Sequence, residues 1–156
     1  MSTPIVVRSA RKEDFADWLP LWDGYNAFYG RAGKTSLPLE ITQVTWSRFF
    51  DAYEPMHAFL ATIDDTVVGL AHIILHRSTI LAGATCYLQD LFTAESARGR
   101  GVARALIEAI CAHAADLRCG RVYWMTHESN ATAMRLYDHV AENSGFVVYR
   151  KRLPNA

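Results

Sequence analysis

The sequence is short of the features that send a chain to a special destination. Its 156 residues carry 16 basic and 16 acidic side chains, a formal net charge of zero, so it lacks the basic excess that nucleic acid or an anionic membrane selects. The expected partner is a small or neutral molecule, with no nucleic acid and no membrane. Only three cysteines occur, Cys86, Cys111 and Cys119. An odd number without CxxC or metal-ligand spacing speaks against a disulfide framework or a metal site and reads as buried or inert thiols in a reducing compartment. No uncharged apolar run approaches the roughly 18 residues of a membrane span. Met1 to Arg8 has no basic segment followed by an apolar one, so a cytoplasmic protein without a secretory leader is expected.

Repeats, low-complexity tracts and Pro/Ser-rich linkers are missing too. Gly30 to Pro38, the most polar stretch containing glycine and proline, has only the length of a loop. Residues 1–156 are therefore expected to form a single domain, long enough to bury a core without covalent staples.

What is present is patterned. Ile5 to Arg8 reads as a strand, and Asp14 opens an aromatic-rich helix that ends near Gly30. Pro20 inside that helix predicts a kink or two pieces. Ile41 to Tyr53 reads as a second helix. His57 to Ile63 and Val67 to His76 form a predicted hairpin around Asp64-Asp65-Thr66, and Thr85 to Thr93 a further strand. After Gly101, apolar residues four apart (Val102, Leu106, Ile110, Ala114) predict a helix stopped by Gly120. Arg121 to Thr126 reads as a strand, Asn130 to about Asn143 as a helix, and Gly145-Phe146 as the turn into a last strand through Arg150. This order predicts a mixed α/β sandwich with a partly parallel sheet.

The strand ending at Thr93 is followed by Arg98-Gly99-Arg100-Gly101 at a helix start. Glycines let the backbone approach oxygen atoms, successive N–H groups point outward, and the helix N-terminus adds partial positive charge, so the segment suits a phosphate. Arg98, Arg100 and Arg104 add full charges, although a solvated β-α connection would look the same on glycines alone. A P-loop is excluded, because no lysine lies between Lys34 and Lys151. A dinucleotide fold stays as a runner-up: Gly99-x-Gly101 is present and Glu128 could imitate the ribose acid, but Arg104 stands in place of the third glycine.

Arg98-x-x-Gly101-x-Ala103 resembles the (Gln/Arg)-x-x-Gly-x-(Gly/Ala) signature of the GNAT superfamily of N-acetyltransferases. The likeness covers essentially the whole chain: Arg8-x-Ala10-x-x-x-Asp14, the hairpin ending Val67-Val68-Gly69, Tyr87-Leu88-Gln89-Asp90-Leu91-Phe92, and Asn130 to Phe146. Within the superfamily the chain is most similar to the histone and polyamine (spermidine/spermine-type) branch. The resemblance implies an α/β (α+β) fold with a mixed sheet of six or seven strands, an antiparallel N-terminal meander and a parallel central pair, flanked by about four helices. It implies acetyl-CoA as cosubstrate, held by Leu91, Phe92 and Thr93 at the acetyl and pantetheine portions and by Arg98, Gly99, Arg100, Gly101, Val102, Ala103 and Arg104 around the pyrophosphate. It also implies a homodimer. One departure stands out, because polyamine enzymes have a glutamate where this chain has Gln89, which cannot accept a proton.

Acetyl transfer to an amine needs a docked thioester, a neutral amine, a stabilised oxyanion and a proton for the leaving thiolate. Tyr137 is the candidate acid. Asn130, seven residues earlier, projects within about 20° of it on one helix face, so that face can hold both pantetheine and sulfur. Asn130 also sits where a helix N-cap would. Asp90 is the first candidate base, with His72, His127 and Glu128 behind it by position near strand ends. Gln89 and Asp90 should point to opposite faces unless a bulge intervenes. Trp22, Tyr25 and Tyr29 share a helix face and form either a wall for a cationic amine or a piece of core. The expected substrate contacts are Tyr25, Tyr29, Gln89 and Asp90. A non-catalytic acyl-CoA-binding sensor or interaction module is the alternative from another class.

Overall fold

A computed structural model describes residues 3–154. The chain divides into two compact units, Met1–Met125 and Thr126–Ala156. In the first, β1 (Val6–Ser9), β2 (Met56–Ile63), β3 (Thr66–His76), β4 (Thr85–Thr93) and β5 (Arg121–Tyr123) lie in the order β1-β2-β3-β4-β5. The first four form an antiparallel meander, and β5 runs parallel to β4. The helices of this unit are α1 (Phe15–Phe28), α2 (Leu39–Arg48) and α3 (Val102–Asp116); the second unit holds α4 (Ala131–Val140).

The hairpin between β2 and β3 forms where expected. Asp64 and Asp65 both take positive φ, 49° and 59°, as a two-residue turn matched to strand twist requires. The entry to α1 is fixed by Arg8, whose guanidinium grips Asp14 through two bonds of 2.7 and 2.9 Å while the Arg11 N–H donates to the same carboxylate at 2.7 Å. Helix α1 runs through Pro20 as one element instead of two pieces. The proline lies in the second turn, where its missing N–H forfeits a single bond, to Ala16.

Period-2 alternation divides the sheet between two layers. Leu60 pairs with Leu70 on the face covered by Trp18, Leu21, Trp22, Tyr25 and Phe49. The alternate residues meet α3, which buries Val102, Leu106, Ile107, Ile110 and Ala114, the four larger side chains each contributing about 1.5–3 kcal/mol of gross burial energy and the Ala114 methyl less.

Five strands replace the expected six or seven among the described residues, and four helices are as expected. Arg121 to Thr126 yields only three residues of strand, and residues 146–150 form none. Phe146 and Tyr149 are 90% and 93% exposed. β-branched and aromatic residues favour a strand only when a partner edge supplies the ladder, and none pairs with them here. The parallel pair β4-β5 is consequently at the sheet edge and not at its centre. Helix α2 also stops short of Tyr53, at Arg48. Of the thiols, Cys86 is buried and pushed up to about 12, mainly by that burial, Cys119 is half-buried, and Cys111 is exposed with its thiol also shifted upward.

Candidate active site

The register of β3 against β4 shifts between His72 and Ile73: His72 faces Asp90 and Ile73 faces Leu88, leaving Gln89 as the extra residue of a bulge. In a regular strand Leu88 and Asp90 would share a face. The bulge turns Asp90 onto the α1 side and leaves Gln89 exposed. The pairing with β3 thus decides which polar side chain enters the core.

Asp90 enters a built network. Trp18 donates its indole Nε1–H to His72 Nε2 at 2.9 Å, and His72 Nδ1 lies 2.8 Å from Asp90 Oδ2. His72 is 1% exposed and Asp90 7%. A buried polar chain of this kind stabilises only when every member is satisfied. His72 was expected near a strand end as a candidate base; it sits within β3 under Trp18, Trp22 and Phe49, too enclosed to meet an acceptor and placed to orient Asp90 instead.

Two tyrosines, Tyr25 and Tyr87, feel the charge of the carboxylate. Tyr25, on α1, stacks on Trp22 at 5.7 Å and meets Tyr29 at 5.0 Å and Phe92 edge-on at 6.4 Å. Burial first, then the charge of Asp90, push its phenol well above the usual tyrosine range, so the hydroxyl keeps its proton. Burial and the neighbouring Tyr123, with Asp90 contributing, raise Tyr87 as well, whose ring stacks on Tyr123 at 4.8 Å. Of the aromatic stripe, Trp22 and Tyr25 are buried in the core and Tyr29 is exposed.

Arg31 closes this group. Gly30, at φ 79°, makes the left-handed turn that ends α1, with Gly30 N–H bonded to Ala27 O at 3.0 Å and Arg31 N–H to Asn26 O at 2.8 Å. That pair of bonds is a Schellman cap, and it folds Arg31 back over the last turn. Its guanidinium carbon lies 5.8 Å from the Tyr25 ring centre and 5.6 Å from that of Tyr29.

The loop after β4 has the form of an anion cradle. Residues Glu95–Ala97 make a short 3-10 turn, Gly99 and Gly101 take φ 74° and 88°, and α3 begins at Val102. Among the described residues no backbone carbonyl accepts from the N–H groups of Gly99 to Arg104; the first to be satisfied is Ala105, by Gly101 O at 3.0 Å. Such unpartnered donors at a helix start favour an anion. Arg98, Arg100 and Arg104 are exposed around it, and Val102 is buried beneath as the anchor. Arg98 reaches the Phe92 ring at 5.9 Å. An open groove of about 490 Å³, lined by Gly24, Phe28, Phe92, Ala94 and Arg98 among others, borders this loop. Leu91 and Thr93, like Phe92, are half-buried along the end of β4, and Ala103 half-buried at the start of α3.

In the second unit Asn130 caps α4, its side chain accepting from the Ala133 N–H at 3.4 Å. It therefore stands just outside the helix on which Tyr137 sits, two turns before it. His127 is exposed and tied to Ser129 Oγ at 2.6 Å, and Glu128 is exposed.

Comparison with known proteins decides the family. The family model described as "Acetyltransferase (GNAT) family" matches residues 18–141. The chain belongs to the GNAT family of acetyltransferases. A curated relative, the D-amino-acid N-acetyltransferase of Saccharomyces cerevisiae, is 34% identical over 149 residues, covering 94% of this chain and 90% of that protein. Among solved structures, a probable acetyltransferase aligns with TM-score 0.83 at 22% identity, over 97% of this chain and 99% of its own. An aminoglycoside N-acetyltransferase described in complex with CoA aligns with TM-score 0.79 at 20% identity, over 98% of each chain.

GNAT acetyltransferases use acetyl-CoA, and the residues present fit it. The donor fan from Gly99 to Arg104 suits a pyrophosphate, and the groove past Phe92 is apolar enough for pantetheine. Asp90 and this loop were named from the sequence as candidates. Trp18, Tyr87 and Arg31 were given no role there: Trp18 is one aromatic among several in its helix, Tyr87 entered only as part of the strand motif, and the only signal for Arg31 was a cation directly after the glycine that ends an aromatic helix.

Proposed function

We propose that this GNAT protein transfers the acetyl group of acetyl-CoA to a primary amine by direct attack, beside Asp90 on the α1 side of β4. The observation that carries the proposal is the pairing, on one strand and the loop after it, of a buried oriented carboxylate with a run of unpartnered N–H donors. When bound, acetyl-CoA supplies a thioester carbon to which the amine nitrogen bonds as the carbon–sulfur bond breaks. Asp90 accepts the amine proton; its carboxylate is oriented by His72 through Oδ2 and neighboured by the Tyr25 hydroxyl. Tyr137 is the proposed donor of a proton to the departing sulfur, so protons and charge balance. A phenol of pKa near 10 would serve a thiol of about 8.5 to 9 by a hydrogen bond that stabilises the departing thiolate, with transfer completed as the carbon–sulfur bond breaks. Arg98, Gly99, Arg100, Gly101, Val102, Ala103 and Arg104 are assigned to the pyrophosphate, Leu91, Phe92, Thr93 and Asn130 to the acetyl and pantetheine portions, and Tyr25, Tyr29 and Gln89 to the acceptor.

The acceptor range includes amino acids, which the name of the yeast relative supports, beside the polyamines, lysine-like amines and peptide or histone tails that the motif resemblance suggests. We take both units as parts of one catalytic domain, because the family match runs across them, and expect a cytoplasmic homodimer. Among the described residues no helix is long and apolar enough to cross a membrane. Thiol release from acetyl-CoA over a panel of amines tests the proposal: saturable, amine-dependent release supports it, and its absence over the whole panel contradicts it.

A further inference from the structure

We propose that the acceptor is an α-amino acid whose carboxylate is held by Arg31 while Asp90 receives its amino group, an inference that rests on acetyl transfer at this face. Arg31 is not a loose surface cation. Its Nε donates to Asn26 Oδ1 at 2.6 Å, and Asn26, 4% exposed, in turn donates from Nδ2 to Trp22 O at 2.9 Å. One edge of the guanidinium is thereby fixed to the core, and the rings of Tyr25 and Tyr29 fix its position over the helix. Among the described residues no side chain or carbonyl accepts from Nη1 or Nη2, and no carboxylate pairs with Arg31. A fork with two parallel donors, already immobilised and unpaired, matches a carboxylate in two bonds.

The second charge, Asp90, neighbours the same phenol. Arg31 stands over the Tyr25 ring, and Tyr25 interacts with Asp90. A fixed cation and a fixed anion separated by one tyrosine are complementary to a molecule that carries an amine and a carboxylate on one carbon. The same arrangement works against a polyamine, which offers Arg31 a like charge and no anion, so selection includes a repulsive element. Gln89, exposed at the bulge, adds no second carboxylate to offset it.

The experiment compares phenylalanine, as both enantiomers, with 2-phenylethylamine, its decarboxylated form, in the full-length protein and in Arg31→Ala and Arg31→Lys. The wild type is expected to favour the better phenylalanine enantiomer in kcat/KM by at least about tenfold, a fold-change set by one charge-assisted pair. Arg31→Ala is expected to collapse that ratio toward one through a raised acceptor KM, and Arg31→Lys to restore part of it. Equal use of both compounds by the wild type, or an equal loss for both in Arg31→Ala, overturns the inference. If no compound releases CoA, acetyl transfer itself fails. Thermal shift with phenylalanine in the presence of CoA then decides the Arg31 assignment alone: a shift in the wild type that Arg31→Ala lacks sustains it, and no shift overturns it.

Discussion

Trp18 and His72 fix each other's hydrogen positions, because the indole Nε1–H, which can only donate, points at His72 Nε2 from 2.9 Å. Nε2 must keep its lone pair, so the ring hydrogen is on Nδ1 and is donated to Asp90 Oδ2. The tryptophan therefore sets the orientation of a carboxylate two bonds away.

Replacing Trp18 by Phe tests this coupling. The variant leaves a buried nitrogen unpartnered, which costs about 1–3 kcal/mol, and frees His72 to place its hydrogen on Nε2 and its lone pair against Asp90. Urea unfolding is expected to show the loss of stability, and kcat to fall by about tenfold or more with little change in acetyl-CoA KM. A fall in stability with kcat intact would make Trp18 a packing residue only.

The loop makes a different demand. Gly101 sits at φ 88°, and a Cβ there costs about 1–2 kcal/mol of local strain. Gly101→Ala is expected to raise the acetyl-CoA KM about tenfold, the equivalent of about 1.4 kcal/mol, while the acceptor KM stays close to the wild-type value. Initial rates with each substrate varied in turn separate the two.

Tyr137→Phe removes the proposed proton donor without altering the ring. Turnover is expected to drop by about 10²-fold or more, with the alkaline limb of the kcat profile altered. An unchanged rate and profile with a good acceptor would remove Tyr137 from the chemistry.

Acid stability should depend on Asp14. The Arg8 guanidinium, bonded to it twice, holds its carboxyl below the usual carboxylate range, with the Arg11 N–H assisting and burial opposing. A lowered native pKa stabilises the fold fully above the unfolded value of about 3.9, and that contribution is lost as pH falls through the lower native value. Asp14→Asn is expected to cost about 1–3 kcal/mol at neutral pH and to flatten the stability loss between about pH 4 and pH 2. Denaturant midpoints across that range check both.

Much of this arrangement was legible locally. Thr85 to Thr93 appears at the expected bounds because turn residues bracket a β-rich run, and α3 starts where Gly101 ends the loop. Asp90 could be named from its place in the Tyr87 to Phe92 motif, yet its side was undecided until the bulge at Gln89 was seen, since a bulge depends on pairing with β3 and leaves no local mark. His72 was misplaced for the same reason: a histidine in an apolar strand does not announce the tryptophan that will cover it. The last strand failed where propensity was strongest, at Phe146 to Tyr149, because strand formation needs an edge elsewhere in the chain. Arg31 was invisible because its position comes from the cap at Gly30, a geometry that sequence spacing alone does not reveal.

The most direct measurement is single-turnover acetyl transfer by Asp90→Asn against the wild type, with product mass recorded alongside acetyl-CoA affinity. The account predicts that acetylated amine forms about 10²-fold or more slowly in the variant while acetyl-CoA binds within about twofold of the wild type, since it assigns Asp90 to the acceptor and not to the donor. Transfer at an undiminished rate would contradict it, and so would a wild type that binds acetyl-CoA tightly and forms no acetylated amine.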